Sequence, residues 1–333
     1  MTEWYPYGPG GQPPYGPPSG YLAPPGVPGY LTDPLISPDY GGWWSRGLSI
    51  VKRGWMPLVV LQAIGVGVSM LAHAPILVYL AVMSQDVSAA FETPDPDTSP
   101  DLAPLFGAIG VTLLGVLLGF VIRAMVAVAA VHVGVSVAVG APVRVADALR
   151  LAARRAFPLL GWQLLAAPIY VAAFCLCVAP VLYVAAVFVV LPVVVAVERT
   201  NAISRCFSLF HRDLGASVGR LATIMGLSIA GGMVGGLAAG LTGSLGDSLV
   251  NAALPDTAGM VGGSVISTFI GTLVSGAMAV LLTPLTLAAY ADLRARVEPL
   301  RTMMLAESLG IVPPAPGPWP AGPTARPIVL PPG

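Results

Sequence analysis

Six apolar stretches dominate the middle of the chain, and each is long enough to cross a lipid bilayer as a helix, which takes about 20 residues. They cover residues 56–83, 104–126, 158–177, 179–197, 219–245 and 260–290. The third and fourth are joined at the sequence CLCVAP with almost no loop, so we expect a tight hairpin. Pro180 stands where the return helix begins, and we expect Pro192 to kink it. The pattern predicts an all-α fold, a polytopic transmembrane helical bundle of six spans.

A basic segment occurs twice, as SRGLSIVKRGW at 45–55 and as SRCFSLFHRDL at 204–214, and a weaker copy covers 145–160. On a helix, apolar residues of each copy form one stripe. These residues are Trp44, Leu48, Val51 and Trp55; Ile203, Phe207, Phe210 and Leu214; and Val145, Leu149, Ala152 and Ala156. Each copy precedes an odd-numbered span. The chain is therefore predicted to form three hairpins, each preceded by a basic amphipathic interfacial helix.

Basic residues on the polar faces of these segments are predicted to contact anionic lipid headgroups of the inner leaflet, at about 1 kcal/mol each. They are Arg46, Lys52, Arg53, Arg150, Arg154, Arg205 and Arg212. One alternative is that each segment only guides the chain into its hairpin. Another is that the segments dock a partner membrane protein.

Composition assigns the chain to the integral membrane class. Of its 333 residues 56% are hydrophobic and only 10% are charged, whereas soluble proteins carry about 25% charged residues. The loop at 84–101 holds five acidic and no basic residues, and the loop at 246–258 holds no basic residue either. The excess of Lys and Arg on the other side predicts that both termini are cytoplasmic and the membrane is the inner, or plasma, membrane. The preference for Arg, Ala, Gly, Val and Pro is typical of a GC-rich bacterial genome.

The chain divides into a membrane domain and two tails. Residues 1–38 form a tail rich in Pro, Gly and Tyr that we expect to be disordered, because it offers little aliphatic surface to bury. The six-span membrane domain covers 39–300. Residues 301–333 are expected to form a short helix and then a Pro-rich cytoplasmic tail.

The second apolar stretch is too long for one crossing. It continues from 105 to 139, about 50 Å of helix against a hydrocarbon core of about 30 Å. We expect Arg123 to reach the cytoplasmic interface, so that the Val- and Ala-rich remainder projects beyond the core and must be covered. The alternative register leaves Arg123 inside the bundle, where it would be a functional candidate.

Glycines spaced by four in the fifth span predict close helix packing in lipid. They are Gly231, Gly232, Gly235, Gly236 and Gly240. We expect them to pack against the sixth span, and a homodimer face is the alternative.

No constellation of catalytic, cofactor-binding or metal-ligating residues stands out. The three histidines are far apart, and no phosphate-binding loop, hydrolase motif or nucleic-acid-binding feature is found. No span carries a carboxylate near its middle. His73 is the clearest ionisable residue within a span, and packing is the expected role. Cys175, Cys177 and Cys206 are expected to act as small apolar residues.

Two segments, PLISPDYGGWWSRGLSIVKRGWMPLVV and LPVVVAVERTNAISRCFSLFHRDL, carry a resemblance to a known family. The chain resembles the bacterial membrane domain named after glycerophosphoryl diester phosphodiesterases and related multi-span proteins. The matching positions are Pro192, Glu198, Arg199, Arg205 and Ser208, and the resemblance covers roughly 34–300. It implies a six-span helical fold and leaves function open. The catalytic domain that gave the family its name is absent from this sequence, so its activity is not carried over.

Two functions are consistent with these features. The first is a non-enzymatic inner-membrane protein that acts through lipid or membrane-protein contacts and predicts a filled bundle. The alternative is a transporter or exporter component for a small or lipidic substrate, which predicts a polar cavity at the centre of the bundle.

Overall fold

The computed structural model describes residues 33–92, 103–251 and 256–313. Within these ranges the chain forms helices and short connections and contains no strand, which confirms the all-α prediction. The helices are α1 (Tyr40–Glu92), α2 (Ala103–Ala138), α3 (Val145–Leu176), α4 (Val178–Phe188), α5 (Leu191–Val197), α6 (Ala202–Arg212), α7 (Leu214–Asn251), α8 (Asp256–Ala295) and α9 (Thr302–Ser308).

Six helical stretches are long and apolar enough to span a membrane. They are Tyr40–Leu80, Leu105–Ala138, Val145–Leu176, Val178–Val197, Leu214–Gly246 and Gly262–Ala295. Large apolar side chains face outward from them: Leu71 is 80% exposed and Phe174 is 77% exposed. Water does not solvate such a surface, whereas lipid does, so the protein is a multi-pass membrane protein.

The spans pair as three hairpins, α1 with α2, α3 with α4, and α7 with α8. Cys177 alone separates α3 from α4. The fourth span breaks into α4 and α5 directly before Pro192, which stands in the first turn of α5. A proline lacks the amide hydrogen that a continuous helix requires, so the predicted kink is confirmed.

The bundle is most densely packed at one end, which we call the basic end because exposed Lys52, Arg53, Arg154 and Arg212 lie there. The last turns of α2, from Val128 to Ala138, are buried among α1, α3, α5, α8 and α9. The expectation that the Val- and Ala-rich end of the second stretch is covered is therefore confirmed.

The lead-in segments differ from one another and from the predicted stripes. Residues 202–212 form the separate helix α6, the first copy runs into α1 through a kink at Gly54, and the third is the unbroken start of α3. In the first copy the buried stripe lies one residue earlier than predicted, at Trp43, Gly47 and Ile50. In the copy at 204–214, Ala202, Cys206 and Leu209 are buried together with Phe210 of the predicted stripe. Ala152 and Ala156 of the third copy are buried as predicted.

Close helix packing explains this shift. A Cβ atom on Gly47 would lie 2.5 Å from Cδ2 of Leu285, and the indole Nε1–H of Trp43 donates to the Leu285 carbonyl at 3.1 Å. Trp55, from the predicted stripe, is half exposed on the outer surface. Lipid accepts large apolar residues while helix interfaces take small ones, so hydropathy alone identifies the wrong face.

The packed structure also begins earlier than the predicted boundary at residue 38. Leu35 and Ile36 are buried in the core. The Asp33 carboxylate accepts hydrogen bonds from the backbone amide and hydroxyl of Thr302, at the start of α9. Residues 33–38 therefore belong to the folded domain, and residues 1–32 and 314–333 lie outside the described residues.

Candidate intramembrane binding site

A cavity of about 380 Å³ lies between α1, α2 and α8, inside the spans. On α8 its lining residues fall on one helical face, with hydroxyls at Thr268, Thr272, Ser275 and Thr283. The other polar lining groups are Gln62, Ser69 and His73 of α1 and Arg123 of α2. The bundle is therefore not filled at this level, and the cavity wall can hydrogen-bond a polar ligand.

Arg123 belongs to the second span, and its side chain is exposed at the protein surface. Gly54 of α1 packs on Val137 of α2, and Gly65 packs on Val126. The two helices therefore run antiparallel. Arg123 lies beyond the level of Gly65, on the side away from Gly54. Gly65 is twelve residues from Arg53 at the basic end, about 18 Å along a helix. Measured from the other end, Arg123 is eighteen residues, about 27 Å, from Leu105, where the second span begins. These contacts fix the offset of α1 and α2 but set no bilayer boundary, so both registers of Arg123 stay predictions.

His73 joins α1 to α2 beside this residue. Its Nε2 lies 3.0 Å from the Gly115 carbonyl oxygen, and its Nδ1 lies 3.4 Å from the Ser69 hydroxyl. Nδ1 also lies 2.8 Å from the Ser69 carbonyl oxygen, so each ring nitrogen faces a carbonyl acceptor and the tautomer decides which of them donates. The ring also packs against Gly119, whose missing side chain leaves room for it. This geometry agrees with the expected packing role of His73.

A second cavity of about 370 Å³ adjoins the first and shares His73, Gly119 and Arg123 with it. Its walls are mainly apolar and run along α1 and α2 away from the basic end. The apolar wall residues are Ile76, Leu77, Leu80, Val116 and Phe120. We call this space the apolar groove. A polar chamber and an apolar groove therefore meet at Arg123.

Within the described ranges, no acidic residue neutralises the charge at this junction. No Asp or Glu among the described residues lines either cavity, and Arg123 has no hydrogen-bond or ion-pair partner among them. A cation inside a bilayer is costly unless it is paired or solvated. The site therefore favours an anionic group next to the guanidinium.

The seven basic residues predicted to contact lipid fall into two sets. Lys52, Arg53, Arg150, Arg154 and Arg212 are exposed at the basic end. Arg46 instead donates to the Asp33 carbonyl, and Arg205 is directed into the protein. Contact with anionic headgroups stays a prediction, for which the exposed set is suitably placed.

Sequence reasoning missed a partly buried polar cluster at the basic end. The Arg205 guanidinium pairs with Glu198 at 2.8 Å and also with Glu298, which in turn pairs with Arg294. The Tyr290 hydroxyl donates to Glu198 at 2.5 Å. Two of these residues, Glu198 and Arg205, are among those that carry the family resemblance, and the structure gives them a common structural role.

A second ion-pair group ties α7 to α8. Arg220 of α7 pairs with Asp292 of α8 at 2.8 Å, and their side chains are only 4% and 1% exposed. Arg296 bridges Asp292 and Asp213 and donates to the Pro38 carbonyl. The spacing of Asp292 and Arg296 by four is the sequence signal that could have indicated part of this group.

The five glycines of α7 do not share one environment. A Cβ atom on Gly231 would lie 2.7 Å from Cγ of Met278, and one on Gly235 would lie 3.3 Å from Val274, so these two glycines pack against α8. Gly232, Gly236 and Gly240 face outward and have no neighbouring atom at the Cβ position. The homodimer alternative can therefore concern only the outward three.

The sequence and structure were compared with known proteins. No family model, no curated protein and no solved structure matches the chain. The resemblance to the phosphodiesterase-associated membrane domain therefore stays a prediction from the two quoted segments.

Proposed function

We propose that the protein is a non-enzymatic carrier of anionic lipid, which binds the headgroup at Arg123 and an acyl chain in the apolar groove. One observation carries this proposal. Arg123 has no hydrogen-bond or ion-pair partner among the described residues and lies where a polar chamber meets an apolar groove. A molecule that is anionic at one end and apolar at the other satisfies both parts of the site at once.

The register that places Arg123 inside the bundle favours transfer over simple binding. A lipid in its resting position keeps its headgroup at the membrane interface, where water solvates it. In that register a headgroup beside Arg123 has left the interface, which is what movement between leaflets requires. The hydroxyls of Thr272 and Ser275 and the amide of Gln62 would replace part of its hydration. Of the two functions expected from the sequence, the cavity supports the carrier for a lipidic substrate.

The proposed orientation follows from charge. The exposed Lys and Arg of the basic end would face the cytoplasm, with both termini on that side of the plasma membrane, according to the positive-inside rule. In this orientation Lys52, Arg53, Arg150, Arg154 and Arg212 would meet the inner-leaflet headgroups. Partner membrane proteins or a second copy of the chain stay compatible with this arrangement.

The proposal is tested by lipid translocation in vesicles that contain the purified protein. Fluorescent phosphatidylglycerol is placed in both leaflets, and a membrane-impermeant quencher reports how much label reaches the outer leaflet. The wild type is expected to expose the label from both leaflets, and Arg123→Gln is expected to slow this by roughly tenfold or more, because an ionic hydrogen-bond partner is lost.

Arg53→Gln provides the matched control, since Arg53 is exposed and lines neither cavity. It should leave the rate unchanged. Equal elution profiles and unfolding temperatures would show that Arg123→Gln folds normally. No translocation by the wild type, or equal rates for the wild type and Arg123→Gln, would contradict the proposal.

A further inference from the structure

A separate cavity of about 440 Å³ opens at the basic end, between the end of α2, the start of α3 and the segment after α9. Two helix ends shape it. Gly140 follows the end of α2 and Gly310 follows the end of α9, and each glycine has a φ of +71°, which side-chain-bearing residues rarely adopt. In each case the next amide returns to the helix, from Ala141 to Ser136 and from Ile311 to Ala306.

The charged side chains of this cavity are mostly basic. Arg144, Arg150 and Arg154 line it together with one acid, Asp147. Asp147 pairs with Arg150 at 3.5 Å, so it neutralises that arginine in part. Arg144 and Arg154 have no ion-pair partner among the described residues. The local charge therefore attracts an anion.

The start of α3 adds to this attraction. Arg144 precedes the first turn of α3, and no side chain caps the helix there. Free amide hydrogens and the positive end of the helix dipole make such a terminus suited to phosphate-type oxyanions. Arginine matches the same oxyanions with a planar fork of donors.

A buried histidine gives independent support for a ligand. His132 of α2 lines the cavity and is only 8% exposed. Its Nδ1 atom is buried and has no hydrogen-bond partner among the described residues. Buried polar atoms are nearly always paired, because leaving one unpaired forfeits its hydration. A hydrogen-bonding ligand in the cavity would supply the partner that the fold does not.

We propose that this cavity binds a phosphate-type oxyanion, held by Arg144, Arg154 and the first turn of α3 and sensed by His132. The oxyanion belongs either to a lipid headgroup of the adjacent leaflet or to a free phosphate compound. The site is separate from the cavity at Arg123, and no residue lines both.

The test uses the full chain carrying Arg123→Gln, so that the intramembrane site does not contribute. One arm titrates the protein in non-ionic detergent with inorganic phosphate. The other measures binding to phosphatidylcholine vesicles with and without phosphatidic acid. Binding in the first arm identifies a free phosphate ligand, and binding only in the second identifies a lipid headgroup.

Arg144→Gln and Arg154→Gln are each expected to weaken binding by roughly tenfold or more. Asp147→Asn should strengthen it, because the substitution removes a repulsive carboxylate and frees Arg150. A purely structural role of these residues would not produce opposite effects. In the arm with inorganic phosphate, Arg212→Gln, which changes an exposed arginine at the same end outside the cavity, should bind like its parent.

Two results would overturn the proposal. The first is no binding of inorganic phosphate and no dependence on phosphatidic acid. The second is an equal loss in Arg212→Gln and Arg144→Gln, which would indicate diffuse surface charge. Since every variant is compared on the Arg123→Gln background, these outcomes are independent of the proposed lipid carrier.

Discussion

The Nε2 atom of His73 lies 3.0 Å from the carbonyl oxygen of Gly115, across the interface between α1 and α2. This contact, between a side chain of one span and the backbone of the next, needs a helix surface without side chains. Gly115 and Gly119 provide it one turn apart. The same two glycines lie beside the junction of the polar chamber and the apolar groove, so helix packing and access to Arg123 are linked here.

Filling this junction should block the proposed carrier. Gly119→Leu would introduce a side chain between His73 and Arg123, since a Cβ atom at this position already lies 3.4 Å from Nε2 of His73. We expect lipid translocation to fall severalfold. Gly110→Leu on the same helix, where no atom is near the Cβ position, is the control and should leave translocation unchanged. Equal rates in both variants would contradict the assigned path.

Removing one member of the buried ion pair should be costly. Asp292→Asn leaves the Arg220 guanidinium buried without its carboxylate, which we expect to destabilise the fold by about 3–5 kcal/mol. Denaturation in detergent measures the change. The double substitution Arg220→Met with Asp292→Leu should recover much of the loss. Asp147→Asn, which breaks an exposed pair, should change stability by less than about 1 kcal/mol.

The glycines of α7 should divide into two classes. Gly235→Leu places a side chain against Val274 and should destabilise the contact between α7 and α8 by about 1–3 kcal/mol. The side chain introduced by Gly236→Leu would point outward, so the stability of a monomer should be nearly unchanged. Thermal unfolding and size-exclusion chromatography test both variants. If Gly236→Leu dissociates an oligomer, the outward glycines form a subunit interface.

Acidification should weaken the basic end. The backbone amide of Ala216 and the nearby Arg296 hold the pKa of Asp213 below its ordinary value of 3.8. Burial raises the pKa of Glu298, but the hydrogen bond and charge of Arg294 outweigh it, so this pKa lies below 4.5. A carboxylate with a lowered folded-state pKa stabilises the fold above its unfolded-state pKa. That stabilisation is lost as pH falls through the folded-state value.

The unfolding temperature in detergent should therefore be constant near neutral pH and fall below about pH 4.5. The double variant Asp213→Asn with Glu298→Gln should start lower at neutral pH and show a smaller fall. An identical fall in the wild type and the double variant would assign the acid sensitivity to other groups.

Charge reversal should separate the two sets of basic residues. Changing Lys52, Arg53, Arg150, Arg154 and Arg212 to Glu should impair insertion or topology, because these exposed residues are placed for the inner leaflet. Arg205→Glu should instead destabilise the folded protein, since it repels Glu198 and Glu298. Reporter fusions and unfolding measurements distinguish these effects. Normal topology in the fivefold variant would count against the leaflet contact.

The helical class, the six spans and the hairpins followed from hydropathy, because span length and apolarity are set by the bilayer itself. Hydropathy did not predict which face of each helix is buried against the other helices. Trp43 and Trp44 are adjacent and chemically identical, yet only Trp43 bonds to Leu285 and is fully buried. In lipid both faces of a helix are apolar, so this choice depends on the neighbouring helices.

The two cavities that meet at Arg123 could not be predicted from the sequence either. They depend on how α1 and α2 are offset, and the contacts of Gly54 and Gly65 set that offset. Leu35 was missed for a different reason. A short apolar stretch beside a Pro- and Gly-rich tail resembles the tail, and only the contact between Asp33 and Thr302 shows that it is folded.

The ion pair between Arg220 and Asp292 has a consequence for biosynthesis. The chain is made from its N-terminus, so α7 enters the membrane before the carboxylate that compensates its buried arginine exists. The contacts of Arg296 with Pro38 and of Thr302 with Asp33 likewise wait for the last part of the domain. A nascent chain that stops short of Asp292 therefore carries the Arg220 charge in α7 without its carboxylate partner. The first and last parts of the membrane domain must both be in place before this charge is paired and the domain is closed.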